Sequence, residues 1–126
     1  MTKTQLIKAA KKVVGEFRLS KRFLSAGSVA AALVTKAGHV YTGICLDLAC
    51  GIGFCAEHSA IAEMLKHRET EIKMIVAVTK KKIIPPCGRC REMMVQVNRK
   101  NKDTVVIMSE KKVKKLRDLL PNLWFE

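Results

Sequence analysis

An α/β fold is predicted for this chain from three observations. Helical and strand-like hydrophobic periods alternate along it, its strand candidates run nearly continuously apolar, and 126 residues at 48% hydrophobic content suffice for one core but not two. Residues 1–126 are therefore read as one domain.

Leu6, Ile7, Ala10, Val13, Val14 and Phe17 recur at helical spacing while Lys3, Lys8, Lys11 and Lys12 fill the other face. This pattern predicts an amphipathic packing helix over residues ~3–18. From residue 28 to 35 the composition turns to Val, Ala and Leu, then Lys36-Ala37-Gly38 makes a turn before residues 40–46. These two arms predict a β-hairpin whose first arm is covered on both faces. Gly51 and Gly53 mark residues 47–54 as an irregular loop. Ala56, Ala60, Ile61, Met64 and Leu65 form one apolar stripe, so a helix is expected over ~56–67. Residues 72–78 are a second strand candidate, and residues 80–86 a charged turn ending in two prolines. Those prolines block a helix before Cys87 and permit one just after it, which Met93, Met94 and Val97 continue to ~98. Residues 104–108 are a third β candidate, and residues 113–120 a short strand and a turn of helix closed by Pro121.

The chain carries 24 Lys+Arg against 11 Asp+Glu, a net charge of +13 that attracts polyanions. The basic residues are scattered, however, and aromatics are not interleaved among them for base stacking, so solvated faces account for the charge better than nucleic acid does. No apolar run reaches membrane-spanning length, and the N-terminus lacks a basic head followed by an apolar block. A cytoplasmic protein with no membrane partner is expected. Five cysteines leave one unpaired in any disulfide framework, and two form a Cys-x-x-Cys, which favours metal or redox use in a reducing compartment.

Cys55-Ala56-Glu57 sets a thiol and a carboxylate two residues apart where one helix should begin, and Cys87-Gly88-Arg89-Cys90 opens another. Both helices follow sheet elements, so their N-termini can converge at one sheet edge, where the helix-end potential favours thiolates. Three thiolates can hold Zn2+ with the fourth tetrahedral position left to water, and Glu57 is near enough to serve that water as proton acceptor and donor. His58, Arg89 and Arg91 are close enough in sequence to offset the surplus negative charge by hydrogen bonding to sulfur. Taken alone, Cys87-x-x-Cys90 fits a thioredoxin-like redox pair equally well. A structural zinc with Cys50 as fourth ligand is a third reading, although the Cys50-to-Cys55 gap exceeds the common ligand spacing. Cys45 and Cys50 otherwise read as small buried residues, and Met93 and Met94 as core.

Cys55-Ala56-Glu57 together with Pro86-Cys87-Gly88-Arg89-Cys90-Arg91 resembles the three-cysteine form of the zinc nucleobase deaminase signature. That form is characteristic of the free-nucleoside cytidine deaminases and the related blasticidin-S deaminases. The resemblance extends through Val29-Ala30-Ala31-Ala32-Leu33, the Lys36-Ala37-Gly38 turn, Tyr41-Thr42-Gly43 and Leu119-Leu120-Pro121. It implies a three-layer α/β/α fold around a five-stranded mixed sheet, and a homotetramer whose active sites borrow residues from neighbours. It further implies Zn2+ held by Cys55, Cys87 and Cys90, with Glu57 carrying protons in the hydrolytic deamination of a cytosine nucleoside, as in pyrimidine salvage. Main-chain groups near Ala56 and Pro86 would hold the base edge and the leaving amine.

The chain also departs from that pattern. Cytidine deaminases carry an Asn-x-Glu-Asn run after the second strand, where this chain has Cys45-Leu46-Asp47-Leu48. By resemblance Asp47 would accept from a sugar hydroxyl, while Cys45 is a poor substitute for an amide. Gly27 stands in place of a stacking Phe, and His58 where Arg is common, so charge compensation at the thiolates is expected to titrate with that imidazole. A short loop from Cys45 to Cys55, and Trp124 in the tail, resemble the blasticidin-S type, whose C-terminus closes over its substrate. A blasticidin-S-type substrate and, from the charge, a nucleic-acid-editing activity are the alternatives.

Overall fold

The computed structural model describes residues 1–125. Its elements are α1 (Lys3–Lys11), β1 (Phe17–Arg18), β2 (Ser25–Thr35), β3 (Val40–Asp47), α2 (Ala56–Lys66), β4 (Ile72–Val78), β5 (Ile83–Ile84), α3 (Gly88–Val97), β6 (Val105–Ile107), β7 (Val113–Lys115) and α4 (Leu116–Leu119), with a 3-10 turn at Arg99–Asp103. Successive side chains of a strand point to opposite faces, and the two central strands use both. Ala31 and Leu33 of β2 with Ile75 and Ala77 of β4 join one buried cluster, whereas Ala30, Ala32 and Val34 with Val76 and Val78 join another. The first cluster is closed by Ala60, Ile61 and Met64 of α2 and Met94 and Val95 of α3. The second is closed by Leu6, Ile7 and Ala10 of α1. Continuous apolar strands between helices on both faces make the three-layer α/β/α architecture.

Residues of β2 from Ala30 to Val34 pair with β3 on one side and β4 on the other, and Ile75 of β4 pairs with both Leu33 and Val106. The full-width order is thus β3-β2-β4-β6-β7, parallel between β4 and β6 and antiparallel elsewhere. Those five strands match the expected mixed sheet. The two further strands are short: β1 takes the edge of β2 at Ser25 and Ala26, and β5 the edge of β4 at Ala77 and Val78.

Three expected boundaries change, each for a tertiary reason. The first helix ends at Lys11 with Lys12 as its cap, and Phe17 is in a strand and exposed. The backbone N–H of Gly15 donates instead to the Gly27 carbonyl at 2.8 Å, which draws the segment onto β2. The β2 strand starts three residues earlier than expected because it contains a bulge: Ala26 pairs with Leu46 but Ala30 with Ile44. The charged turn contains β5, closed as a hairpin by Thr79 N–H donating to the Lys82 carbonyl at 2.8 Å.

The α2 helix lies so close on β3 that a Cβ at Gly43 would stand 2.4 Å from the Ala60 backbone nitrogen. Only the absence of a side chain permits this approach, which fixes the height of α2 and of the residues at its N-terminus. At the other end, buried Asn101 ties three segments together. Its Oδ1 accepts from Ile72 N–H at 2.8 Å, and its Nδ2 donates to the carbonyls of Thr70 at 3.0 Å and Met94 at 2.9 Å. Asn101→Ala leaves three partners unsatisfied in the interior, so a loss of about 3 kcal/mol is expected in urea unfolding. A loss under about 1 kcal/mol would show that water replaces the amide there.

The turn between β2 and β3 and the turn between α2 and β4 share a polar cluster in which Tyr41 donates its hydroxyl to Glu69 Oε2 at 2.5 Å and His39 Nδ1 lies 2.9 Å from the same oxygen. The Tyr41 hydroxyl bond holds the Glu69 carboxyl below its ordinary range, and the same bond pushes Tyr41 up from 10.0 to about 12. Glu69, depressed in the fold, contributes stability above its unfolded value near 4.5 and loses it as the pH falls. Tyr41, raised in the fold, contributes below 10.0 and loses it as the pH climbs toward 12. The melting-temperature gap between the wild type and Tyr41→Phe is therefore expected to be flat between about pH 5 and 9 and to narrow on both sides. A gap independent of pH would remove this pair as its source.

Candidate metal centre and substrate cavity

Cys55 is the N-cap residue of α2 and Cys87 that of α3, each with extended backbone angles. Neither makes a capping hydrogen bond through its side chain, which leaves both sulfurs available to a ligand. Cys90, one turn into α3, is fully buried. The fold brings the helix starts together: Cys55 Sγ lies 3.5 Å from Cys87 Sγ, which lies 3.6 Å from Cys90 Sγ. All three ligand atoms fall within 4.8 Å of one another. Tetrahedral zinc with sulfur ligands at about 2.3 Å requires sulfurs about 3.8 Å apart, so the donor set and its spacing fit Zn2+. Among the described residues no other group of three or more His, Cys, Asp or Glu side chains is gathered in this way.

The thiols are not equivalent. Burial pushes Cys90 and Cys55 up. Burial also acts on Cys87, but the Cys90 backbone N–H and the Cys55 thiol outweigh it and bring Cys87 below its ordinary value. Cys87 is thus the sulfur best prepared to be a thiolate before metal arrives, through the helix-end amide that sequence position predicts. Glu57, in the first turn of α2, is only 4% exposed. Burial pushes its carboxyl up, opposed by hydrogen bonding to its own backbone and to Cys90. A carboxyl beside the thiols, with its affinity for a proton raised, is suited to exchanging one.

These groups form part of the wall of a cavity of about 500 Å³ whose lining includes Ser28, Cys45, Asp47, Phe54, Cys55, Ala56, Glu57, Ile84, Cys87 and Arg89. Its volume suits one small molecule. The irregular loop between β3 and α2 is pinned by paired backbone bonds between Leu46 and Phe54, both 3.0 Å. A Cβ at Gly53 would stand 2.4 Å from the Leu46 carbonyl oxygen, so the loop can close this tightly only with glycine there.

Of the residues expected to meet substrate, Cys45, Asp47 and Ala56 line the cavity, whereas Pro86 and Trp124 do not. Pro86 is buried behind the wall and its carbonyl accepts from Arg91 Nε at 2.8 Å. Trp124, 75% exposed, lies against α3, where its Nε1 donates to Glu92 Oε2 at 2.8 Å. Arg91 was expected at sulfur, but its guanidinium spans two carbonyls, Pro86 and, at 3.2 Å, Leu119, and so ties the turn before Cys87 to the C-terminal segment. Arg89 does line the cavity. His58 stacks on Phe54, ring centroids 6.2 Å apart, and its buried Nε2 has no hydrogen-bond partner among the described residues. Burial and then the Arg89 charge lower its pKa, which disfavours the charged ring that compensation of the thiolates would need.

Sequence reasoning missed Ser28. Its hydroxyl lies 3.2 Å from Cys45 Sγ and donates to Asp47 Oδ2 at 3.2 Å. Gly27, at φ +86°, makes this possible, and a Cβ there would stand 2.3 Å from the Gly15 carbonyl oxygen. Position 27 therefore cannot hold a side chain in this backbone.

Residues 2–108 match the family model described as the cytidine and deoxycytidylate deaminase zinc-binding region. A probable cytidine deaminase of Dictyostelium discoideum is 32% identical over 71 residues, 54% of this chain and 48% of that protein. The match thus spans about half the length of that relative. Among solved structures, a cytidine deaminase from Burkholderia pseudomallei is 30% identical with a TM-score of 0.79, covering 98% of this chain and 100% of that one. The cytidine deaminase from Mycobacterium tuberculosis, 22% identical, shares the fold at a TM-score of 0.83 over 100% of this chain and 99% of that one. With the three thiols and the buried carboxyl in place, the match over residues 2–108 identifies the chain as a member of the cytidine and deoxycytidylate deaminase zinc-binding family.

Proposed function

We propose that the protein is a zinc-dependent aminohydrolase that converts a free cytosine nucleoside and water to the uracil nucleoside and ammonia. The observation that carries this reading is the buried Glu57 carboxyl beside the three converging thiols in a cavity of nucleoside size. Cys55, Cys87 and Cys90 would hold Zn2+, which would supply Lewis acidity and lower the pKa of a water molecule toward neutrality. Glu57 takes one proton from the attacking water and delivers it to the pyrimidine ring nitrogen, then takes the second from the newly formed hydroxyl as the carbonyl closes and gives it to the departing amine, which leaves as ammonia. Its raised affinity for a proton matches the relay, because a carboxyl that never held one could not deliver it. Ala56 and the apolar walls at Phe54 and Ile84 hold the flat base and limit water to the reacting one.

The finer readings are a homotetramer and a cytoplasmic setting, with a role in pyrimidine salvage. The exposed Phe17, Phe23 and Ile52 support association, since a lone chain leaves these side chains in water. No helix among the described residues is long and apolar enough to cross a membrane. Zinc-loaded protein is expected to release ammonia from cytidine or deoxycytidine with one metal per chain. A fully loaded protein that releases none from either nucleoside would remove the assignment.

A further inference from the structure

The cavity wall farthest in sequence from the thiols is built differently from the rest. Four steps along β2, from Ala26 to Ala30, match two along β3, from Leu46 to Ile44, so two extra residues bulge between the strands opposite Cys45. Within the bulge, Val29 has no partner in the register with β3, and its N–H donates to Cys45 Sγ at 3.3 Å. The thiol and the Ser28 hydroxyl are 3.2 Å apart, and the hydroxyl donates to Asp47 Oδ2 at 3.2 Å. Cys45 Sγ is itself 3.8 Å from that oxygen.

Counting protons along this chain gives its chemistry. The Val29 amide, the Cys45 thiol and the Ser28 hydroxyl each have one proton, and each proton has a partner inside the relay. What the relay leaves for a ligand is acceptors, above all the second oxygen of Asp47. An amide at position 45 would have offered donors as well. The cavity's cation, Arg89, enters from α3 between Cys87 and Cys90, at the thiol end. Lys80 and Lys81 line a separate recess that shares Ser28 with the cavity and also contains Glu16.

We infer that Ser28 is a specificity-determining residue. With Cys45 it holds the Asp47 carboxylate as an acceptor-only wall that selects nucleosides whose sugar presents hydrogen-bond donors, a protonated amine above a hydroxyl, and disfavours those bearing phosphate. The inference rests on the proposed deaminase reading for the identity of the base, but not for the order of affinities. A charge-assisted bond to a carboxylate is about twice as strong as a neutral one, and a phosphate meets the same oxygens as a like charge.

The test is calorimetric binding to zinc-loaded protein of uridine, two aminosugar uridines with the amine replacing the primary or a secondary hydroxyl, and uridine monophosphate. None of these can be turned over. At least one aminosugar form is expected to bind about fivefold tighter than uridine, and the monophosphate about tenfold weaker. Both differences should vanish in Asp47→Asn, shrink in Ser28→Ala and return in Ser28→Thr. General damage to the fold would weaken all four ligands alike and leave their order intact. The inference is overturned if neither aminosugar form gains, if the monophosphate binds as well as uridine, or if the order persists in Asp47→Asn. Ammonia release from cytidine, measured on the same sample, separates the two readings. Turnover without this order removes the inference alone, the order without turnover removes the deaminase reading alone, and no binding of any ligand removes both.

Discussion

Glu57→Gln is expected to lower kcat for cytidine deamination by at least about 10³-fold while leaving one zinc per chain and an intact fold. The size of the loss follows from the number of jobs given to one carboxyl. It must take the two protons of the attacking water in turn, hand the first to the ring and hand the second to the leaving amine, and glutamine can do none of these. The side chain is 4% exposed, so bulk water cannot substitute for it as a proton carrier. Binding should suffer far less, because Gln keeps the volume and a hydrogen-bonding carbonyl oxygen, and KM should change by less than about tenfold. Thermal stability should hold or rise, since a buried ionisable group is exchanged for a neutral one of the same shape. Rates measured with cytidine, alongside metal content and melting temperature, check all three. A variant that retained wild-type turnover would place the proton relay elsewhere in the cavity.

This prediction uses parts of the site that were legible in the sequence, and the reasons are physical. Cys55, Glu57, Cys87 and Cys90 sit at starts of helices, where capping position, spacing and the prolines before Cys87 determine which way side chains face. The alternation in β2 and β4 was legible for a similar reason, since an apolar run long enough to show two faces implies a cover on each. What could not be read depends on contacts between distant segments. Strands of two residues such as β1 and β5 are too short to display a period, and each exists only because a neighbouring edge is free to receive it. Ser28 looks like one more small residue in an apolar strand, and only the bulge beside Gly27 makes it part of the cavity wall. Arg91 was expected at sulfur, but its forked geometry suits two carbonyls, and the carbonyls of Pro86 and Leu119 are where the fold provides them. Asp47 was read as an acceptor from its place in a motif, whereas the Ser28 hydroxyl across the strand and the Cys45 thiol beside it on β3, which both engage its Oδ2, are visible only in the fold.

Loss of the metal should follow from changing any one of three cysteines and from neither of the other two. Cys90→Ser is expected to bring zinc from about one per chain to below about a tenth after dialysis, to abolish deamination, and to remove the rise in melting temperature that zinc gives the wild type. Cys45→Ala and Cys50→Ala should retain full zinc. The contrast is informative because all five cysteines are free and burial alone does not sort them: Cys45 and Cys90 are both buried, and Cys50 and Cys87 are both exposed. Only convergence does, since Cys55, Cys87 and Cys90 have their ligand atoms within 4.8 Å of one another. Two neighbouring thiols alone would also suit a disulfide-forming pair, and the 3.6 Å between Cys87 and Cys90 does not distinguish that use. The third sulfur does: a redox pair has no need of Cys55, whereas a metal centre loses its ion when Cys55 is changed. Zinc should also protect all three thiols from alkylation and release protons as it binds, because thiols that burial keeps protonated must ionise to become ligands. A metal-free wild type in which Cys87 and Cys90 cycle between dithiol and disulfide, indifferent to Cys55→Ser, would replace the metal centre with a redox one.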